Sequence, residues 1–276
     1  MKSKLLLFAA ALLAFPLLLA AQPQGLSVMS FNIRYGDAQD GTNAWRYRCP
    51  ATILMIQDQT PDVIGLQEVL DYQRSFIADY ADGYKIVGVG RDNGRKEGEQ
   101  MCIMYNTKTV KLVKWDTFWL SETPSKPSLG WDAACRRTAT WAIMKDKRSG
   151  ERFVMLNTHL DHVGEQARRE GMALILDKIS EINPDGLPVV LVGDFNSSSD
   201  DPALAKAGLR LRNARETAFS TDRGATYNGW GKSSGVIDHI FYSGFSSCTV
   251  FEVVRKPYDD RTFISDHYPV KAILFF

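Results

Sequence analysis

All four histidines of this 276-residue chain stand beside carboxylates: Asp161 lies between His159 and His162, Asp238 precedes His239, and Asp266 precedes His267. Glu68, Asp194 and the amides Asn32 and Asn196 join them, each at the end of a short apolar run (SFN, LQE, VGDFN). One Asp or Asn at such a place is ordinarily a cap or a turn former. The ensemble is different. Carboxylates and amide oxygens together suit Mg²⁺ or Mn²⁺, with Ca²⁺ also open, and water and phosphate oxygens complete the coordination. Histidines held by carboxylates contact anionic oxygens or move protons.

Such groups must be carried on a rigid frame, and catalytic residues collect on loops and strand ends. Runs rich in β-branched and aromatic residues, bounded by Gly, Pro, Asp or Asn, predict strands at Leu26–Ile33, Val63–Val69, Lys85–Val89, Met101–Asn106, Lys111–Leu120, Thr138–Met144, Phe153–Leu160, Pro188–Phe195, Val236–Tyr242, Cys248–Val253 and Tyr268–Leu274. Helical spacing predicts helices over Ala51–Gln59, Phe76–Tyr80 and Glu165–Ile182; the last puts Met172, Ile175, Leu176, Ile179 and Ile182 on one face and ends at Asn183-Pro184-Asp185-Gly186. About eleven strands and three or four helices predict an α/β fold, a two-sheet β-sandwich with helices outside.

The N-terminus is of another kind. Lys2 and Lys4 precede an apolar run, Leu5 to Ala21, that is broken by Pro16 and ends in small residues. This pattern describes a cleavable signal peptide over residues 1–21; a membrane anchor needs ~20 apolar residues. An exported chain with one domain over residues 22–276 is expected, with no membrane-integral segment after cleavage. Loss of Lys2 and Lys4 takes the 33 basic residues to 31, facing 32 acidic ones. A near-neutral chain offers no global attraction to nucleic acid or to an anionic membrane, although a local basic groove stays open. Cys49, Cys102, Cys135 and Cys248 allow three disulfide pairings. A domain of this size needs no staples, so mostly free or buried thiols are expected. No feature calls for a partner subunit, and a monomer is expected.

The ordered set SFNI, LQEV, NTHLDH, VGDFNS, IDHIFYS and SDHYPV resembles the endonuclease/exonuclease/phosphatase superfamily, from about Leu26 to Phe276. That resemblance implies a four-layer, deoxyribonuclease I-like fold and metal-dependent hydrolysis of phosphoesters. It implies Glu68 as the principal metal ligand, Asn32 beside it as a metal or phosphate contact, and Asp266 as a second metal-side carboxylate. Asp194 and Asn196 would orient the attacking water and the phosphoryl oxygens. His267 and His159 would contact the phosphate, with Asp238 accepting from His267. Glu99 begins an E-x-x-x-x-x-Y stretch ending at Tyr105, which makes it the candidate acidic partner of His159.

The chemistry fits these roles independently. A metal polarises a phosphoryl oxygen and lowers the pKa of bound water, and positioned donors stabilise the developing charge. With no activated Ser or Cys motif, in-line water attack with inversion at phosphorus is expected. Either Asp194 or His267 can take the water's proton, and one metal or two can be used.

Other residues carry weaker readings. His239 follows Asp238 in a strand and should face the opposite side of the sheet, in a structural role. His162 either touches substrate or solvates its loop. Arg168 and Arg169 open the Glu165–Ile182 helix. Gly90-Arg91-Asp92-Asn93-Gly94 is either a hairpin loop or a substrate-side loop bearing Arg91. Trp131, Arg136, Tyr227 and Trp230 lie in loop segments that often set specificity. Three functions follow: hydrolysis of a small-molecule or lipid-headgroup phosphoester, most readily a diester; a secreted nuclease, with Arg34, Arg46 and Arg48 near the first motif but Asp37 and Asp40 in the same loop; and a non-catalytic binding domain, which the full set of matched positions disfavours.

Overall fold

The computed structural model describes residues 25–276; the leader assigned to residues 1–21 lies outside them. The elements run β1 (Leu26–Asn32), α1 (Trp45–Gln59), β2 (Val63–Val69), α2 (Asp71–Tyr80), β3 (Tyr84–Val87), β4 (Gln100–Asn106), β5 (Val110–Trp119), β6 (Thr138–Asp146), β7 (Arg152–His159), α3 (Glu165–Ile182), β8 (Val189–Asp194), α4 (Pro202–Arg210), β9 (Arg212–Asn213), α5 (Ala214–Thr217), β10 (Ser220–Thr221), β11 (Asp238–Ser243), β12 (Ser247–Val253) and β13 (Val270–Phe275). They build a seven-stranded sheet, β10-β12-β13-β1-β2-β4-β3, and a six-stranded sheet, β5-β6-β7-β8-β11-β9.

Strand alternation explains the layers. Leu26 and Val28 of β1, Phe153 and Met155 of β7, and Val190 and Val192 of β8 face one another in the core between the sheets. The opposite parity in the first sheet, Met29, Phe31, Ile64 and Leu66, packs under α1 and α2. In the second sheet Val154, Leu156 and Leu191 pack with Met172, Ile175 and Leu176 of α3 and Leu204 of α4. Each such large apolar side chain contributes roughly 1.5–3 kcal/mol by leaving water. The four-layer sandwich expected from the sequence is the observed architecture.

Near one end the inter-sheet core becomes polar. Gln67 Nε2 donates to Ser30 Oγ at 3.1 Å and to Asn157 Oδ1 at 2.6 Å, while Asn157 Nδ2 donates to the carbonyls of Leu66 and Cys102 at 2.8 Å each. The sheets come this close because β2 carries Gly65: a Cβ there would lie 2.3 Å from a Val192 methyl.

Several boundaries differ from the sequence-based expectation. Helix α1 starts at Trp45, six residues before Ala51, and runs through Pro50; the Arg46 carbonyl that Pro50 cannot serve receives the Cys49 thiol at 3.7 Å. Helix α2 begins at Asp71 rather than Phe76. Helix α4 was not anticipated, although Asp201-Pro202 is an N-cap followed by proline at the first helical position, and Asp201 accepts from the Ala203 N–H. All four cysteines are free. Among the described residues no helix is long and apolar enough to cross a membrane.

Candidate active site

The functional side chains are the top layer of the inter-sheet core. Asn32 continues the inward row of Leu26 and Val28, His159 that of Phe153 and Met155, and Asp194 that of Val190 and Val192. Strands β1 and β2 run parallel, as do β7 and β8, so these C-terminal ends share one edge. Antiparallel neighbours deliver their beginnings to the same edge: Asp238 opens β11 opposite Asp194, Ser265-Asp266-His267 leads into β13 beside β1, and Glu99 leads into β4 beside β2.

Glu68 is the exception that alternation alone would misplace, since it shares parity with the outward Ile64 and Leu66. A bulge between Leu66 and Val69, with φ +61° at Glu68, turns its side chain into the cleft. Arg34 (φ +64°) and Asn196 (φ +49°) likewise hold left-handed backbone just beyond β1 and β8. Three non-glycine residues in this region at one edge mark stored backbone strain, of order 1–3 kcal/mol each.

The resulting cleft of about 520 Å³ is lined by Asp266, His267, Asp194 and Asn196 at the β13 and β8 end, by Arg91, Glu99 and Arg137 at the β4 and β6 end, and by Glu68, His159 and His162 between them. His267 Nδ1 donates to the Asp238 carboxylate at 2.9 Å, and its Nε2 stands 3.6 Å from Asp194 Oδ2. Burial alone would lower the His267 pKa, but Asp238, Asp194 and Asp266 overcome it and push it up to about 10. His267 is therefore an imidazolium at neutral pH. His159 goes the other way: burial, then the Arg137 and His267 charges, hold it well below the ordinary histidine value. Its Nε2 meets Asn196 Nδ2 at 2.9 Å and Asp194 Oδ2 at 3.4 Å. Burial raises both Asp194 and Asp266 above the usual carboxylate range.

Asn32 stands between the Glu68 and Asp194 carboxylates. Its Oδ1 accepts the Arg34 backbone N–H at 2.9 Å, which fixes the amide orientation, and Nδ2 bridges Glu68 Oε1 (2.9 Å) and Asp194 Oδ2 (3.0 Å). It spaces two carboxylates that would otherwise repel. Glu99 also differs from expectation: its carboxylate pairs with Arg91 Nη1 at 2.8 Å, and His159 Nδ1 has no hydrogen-bond partner. The hairpin leading into β4 sets Arg91 across from Glu99, so the nearer guanidinium takes the carboxylate. Asn196 donates to Leu160 O at 2.9 Å as well as to His159, so its amide nitrogen anchors the histidine.

The specificity candidates divide. Tyr227 lines the cleft with its ring 4.9 Å from that of His267, and Arg91 and His162 line it too. Trp131 packs on the core beneath α3, Arg136 pairs with Asp92 at 3.2 Å, and Trp230 stacks 5.8 Å from the buried Arg48; none of the three lines the cleft. His239 faces away, against Phe195 and Phe241, as its strand parity requires. Sequence reasoning chose Arg136 and passed over its neighbour Arg137, which is buried, lines the cleft, and bonds Asp161 at 3.2 Å and His162 Nδ1 at 2.9 Å. The available signal was register: adjacent residues leading into β6 point opposite ways. Tyr35 and Cys135 were also missed; Arg34, noted beside the first motif, bridges Asp40 at 2.9 Å and Asp266 at 3.3 Å.

The donor set fits a divalent cation. Glu68, His159 and Asp194 each aim an atom within 4.8 Å of the others, and Asp266 lies across the same cleft. Buried carboxylates held this close raise one another's proton affinity unless a cation offsets their charge. The family model for the endonuclease/exonuclease/phosphatase family matches residues 29–267, from β1 to the last cleft histidine. The chain belongs to the endonuclease/exonuclease/phosphatase family. A Bacteroides vulgatus structure of an endonuclease/exonuclease/phosphatase is 36% identical, covering 90% of this chain and 98% of its own, with TM-score 0.85. The mannosyl-6-phosphatase of Bacteroides thetaiotaomicron VPI-5482 is 34% identical over 91% of this chain and 100% of its own, with TM-score 0.84. A 5'-tyrosyl-DNA phosphodiesterase from Caenorhabditis elegans is 24% identical over 91% of this chain and 67% of its length. Phosphoester hydrolysis is thus the chemistry of the endonuclease/exonuclease/phosphatase frame on which this cleft is built.

Proposed function

We propose that this protein is an exported, divalent-metal-dependent phosphatase of small sugar phosphates. The observation that carries the chemistry is the placement of the Glu68, Asp194 and Asp266 carboxylates beside the His267 imidazolium in one cleft. The volume of about 520 Å³ suits a small ligand. Similarity to a mannosyl-6-phosphatase along nearly the whole chain supports a sugar phosphate over the diester expected first. The basic, apolar and small-residue order of residues 1–21 supports export.

Glu68 and Asp266 would hold the metal, which leaves Asp194 to act on the water. When bound it would polarise the phosphoryl oxygen and favour hydroxide over water. His267, charged through Asp238, donates from Nε2 to a phosphoryl oxygen as negative charge grows there. Because that ring already carries its proton, Asp194 is the group that accepts the proton of the attacking water. Asn32 Nδ2 and the Asn196 N–H hold its two oxygens at 3.0 and 2.9 Å. Water oxygen bonds to phosphorus, the bond from phosphorus to the sugar oxygen breaks, the sugar oxygen takes a proton from solvent to leave as the alcohol, and Asp194 returns the proton it accepted to solvent.

The test is a panel of mannose 6-phosphate, glucose 6-phosphate, bis-p-nitrophenyl phosphate, plasmid DNA and RNA with Mg²⁺, Mn²⁺ or Ca²⁺. Sugar phosphates are expected to be the best substrates, and His267→Ala and Asp194→Ala to abolish turnover. Failure to cleave any phosphoester would end the enzymatic reading; preference for DNA or RNA would make the protein a nuclease. Mass analysis of exported protein should find a new N-terminus near Gln22.

A further inference from the structure

We infer that the wall facing the reaction centre, Arg91 with Glu99 and Arg137 beside them, is the subsite for the departing alcohol and selects a neutral, polyhydroxylated one. This rests on the phosphatase reading above. Asp194, Asp266 and His267, with Glu68 and His159 next to them, mark the end of the cleft where the phosphoryl group must sit. Arg91 and Glu99 come from the hairpin between β3 and β4, Arg137 from the approach to β6, and His162 from the loop after β7. What is attached to the phosphoryl group therefore meets these four side chains.

Their charges decide what they accept. Arg91 is matched by Glu99 at 2.8 Å, and Arg137 by Asp161 at 3.2 Å. Two cations and two anions leave no surplus positive charge for a second phosphate or a nucleic-acid backbone. Both pairs are largely removed from solvent, with side-chain exposures of 15% and 12% for Arg91 and Glu99 and of 5% and 0% for Arg137 and Asp161. A hydroxyl both donates and accepts, so neighbouring hydroxyls of a sugar ring need a carboxylate and a guanidinium side by side. The Arg91–Glu99 pair supplies both: only Oε2 of Glu99 is engaged by Arg91, and the buried Nε of Arg91 has no partner among the described residues.

The pair is also held ready. The Arg91 N–H donates to the Glu99 carbonyl at 3.0 Å, and the Trp119 indole N–H donates to the Arg91 carbonyl at 2.7 Å. Ordering these side chains before the ligand arrives reduces the entropy lost on binding. Tyr35 and Tyr227 line the same cleft.

The test compares mannose 6-phosphate with hexyl phosphate, a primary alkyl ester of similar size and leaving ability that lacks hydroxyls. In Glu99→Gln and Arg91→Met, the ratio of kcat/KM for mannose 6-phosphate to that for hexyl phosphate is expected to fall roughly ten- to hundredfold, the range for losing a charged hydrogen-bond partner. Turnover of hexyl phosphate reports that the variants are folded and that the phosphoryl side is intact. An unchanged ratio in both variants would overturn the subsite. So would an equal loss on both substrates, which would instead place Glu99 in service of the phosphoryl group. Wild-type protein inert on every phosphoester would fail the underlying reading, a distinct result.

Discussion

His267 and Asp238 form a buried ion pair, with Nδ1 2.9 and 3.1 Å from the two carboxylate oxygens, and the pair sets the charge of the cleft. The neighbouring His159, equally buried, lacks such a partner and stays neutral. One carboxylate thus separates two histidines of the same site into a cation and a neutral ring.

The pair carries a pH signature. The folded pKa of His267 is pushed up to about 10 from the ordinary histidine value of 6.5, so its stabilising contribution is complete below pH ~6.5 and is lost as pH rises through ~10. Asp238→Asn is expected to cost ~3–5 kcal/mol at neutral pH, because a buried charge loses its partner. The penalty should shrink above pH ~10, and activity should fall by ~10²–10³. Denaturant melts and rate profiles across pH 6 to 10.5 check both; a penalty that does not change with pH would show that His267 is not charged.

Metal binding should release protons. Burial raises Asp266 and pushes Asp194 up to about 7, so Asp194 is partly protonated near neutrality and a cation bound beside it favours its ionisation. Titration calorimetry with Mg²⁺ in two buffers of different ionisation enthalpy should give different apparent heats, and Glu68→Gln should weaken binding by at least tenfold. Added metal should stabilise the wild-type fold by ~2.7 kcal/mol at a hundredfold excess over Kd. Identical heats in both buffers would contradict the proton release, and a chelator should abolish activity.

The polar bolt between the sheets is expected to matter for stability. Asn157→Ala takes the side-chain donor from the Leu66 and Cys102 carbonyls, at a cost of ~1–3 kcal/mol for each group left unsatisfied, while Gln67 Nε2 keeps Ser30 Oγ and the Gly65 carbonyl. Gly65→Ala places a methyl 2.3 Å from Val192 and should cost ~1–3 kcal/mol by overpacking. Chemical denaturation of both variants, with wild type alongside, measures this; a midpoint within error of wild type for either would refute it.

Arg136 should be dispensable. Its guanidinium meets Asp92 at a partly exposed pair, an arrangement worth little in water. Arg136→Ala is expected to keep kcat and KM within about twofold of wild type, whereas Arg137→Ala should lower kcat/KM at least tenfold by releasing His162 and Asp161. Steady-state kinetics on the best substrate separates the two; equal effects would show that the cleft wall is drawn wrongly.

Much of this was legible in local pattern. Strand parity is a property of a few consecutive residues, so the outward turn of His239 followed from the sequence alone, as did the placing of Asn32, His159 and Asp194 at the ends of apolar runs. The carboxylate before each of the last two histidines was equally visible. Helix α1 was read short because Pro50 is a breaker in the local rule, while burial of Trp45 and Cys49 against the first sheet outweighs the lost hydrogen bond.

Tertiary structure alone decided partners. Glu99 lies sixty residues before His159, and spacing could not show that Arg91, folded across the hairpin, stands nearer to its carboxylate. The turning of Glu68 depends on a bulge set by pairing with β4, and the orientation of Asn32 on one backbone N–H of Arg34. Sequence by itself determined which strand ends carry carboxylates, amides and histidines and that these suit metal-assisted phosphoester chemistry, because apolar runs and residue type are local. Which of them are charged, which are spacers and which face the departing alcohol depends on distances between segments far apart in the chain. Electrostatics and hydrogen bonding act over a few ångströms, so only the packed sheets bring those groups within range of one another.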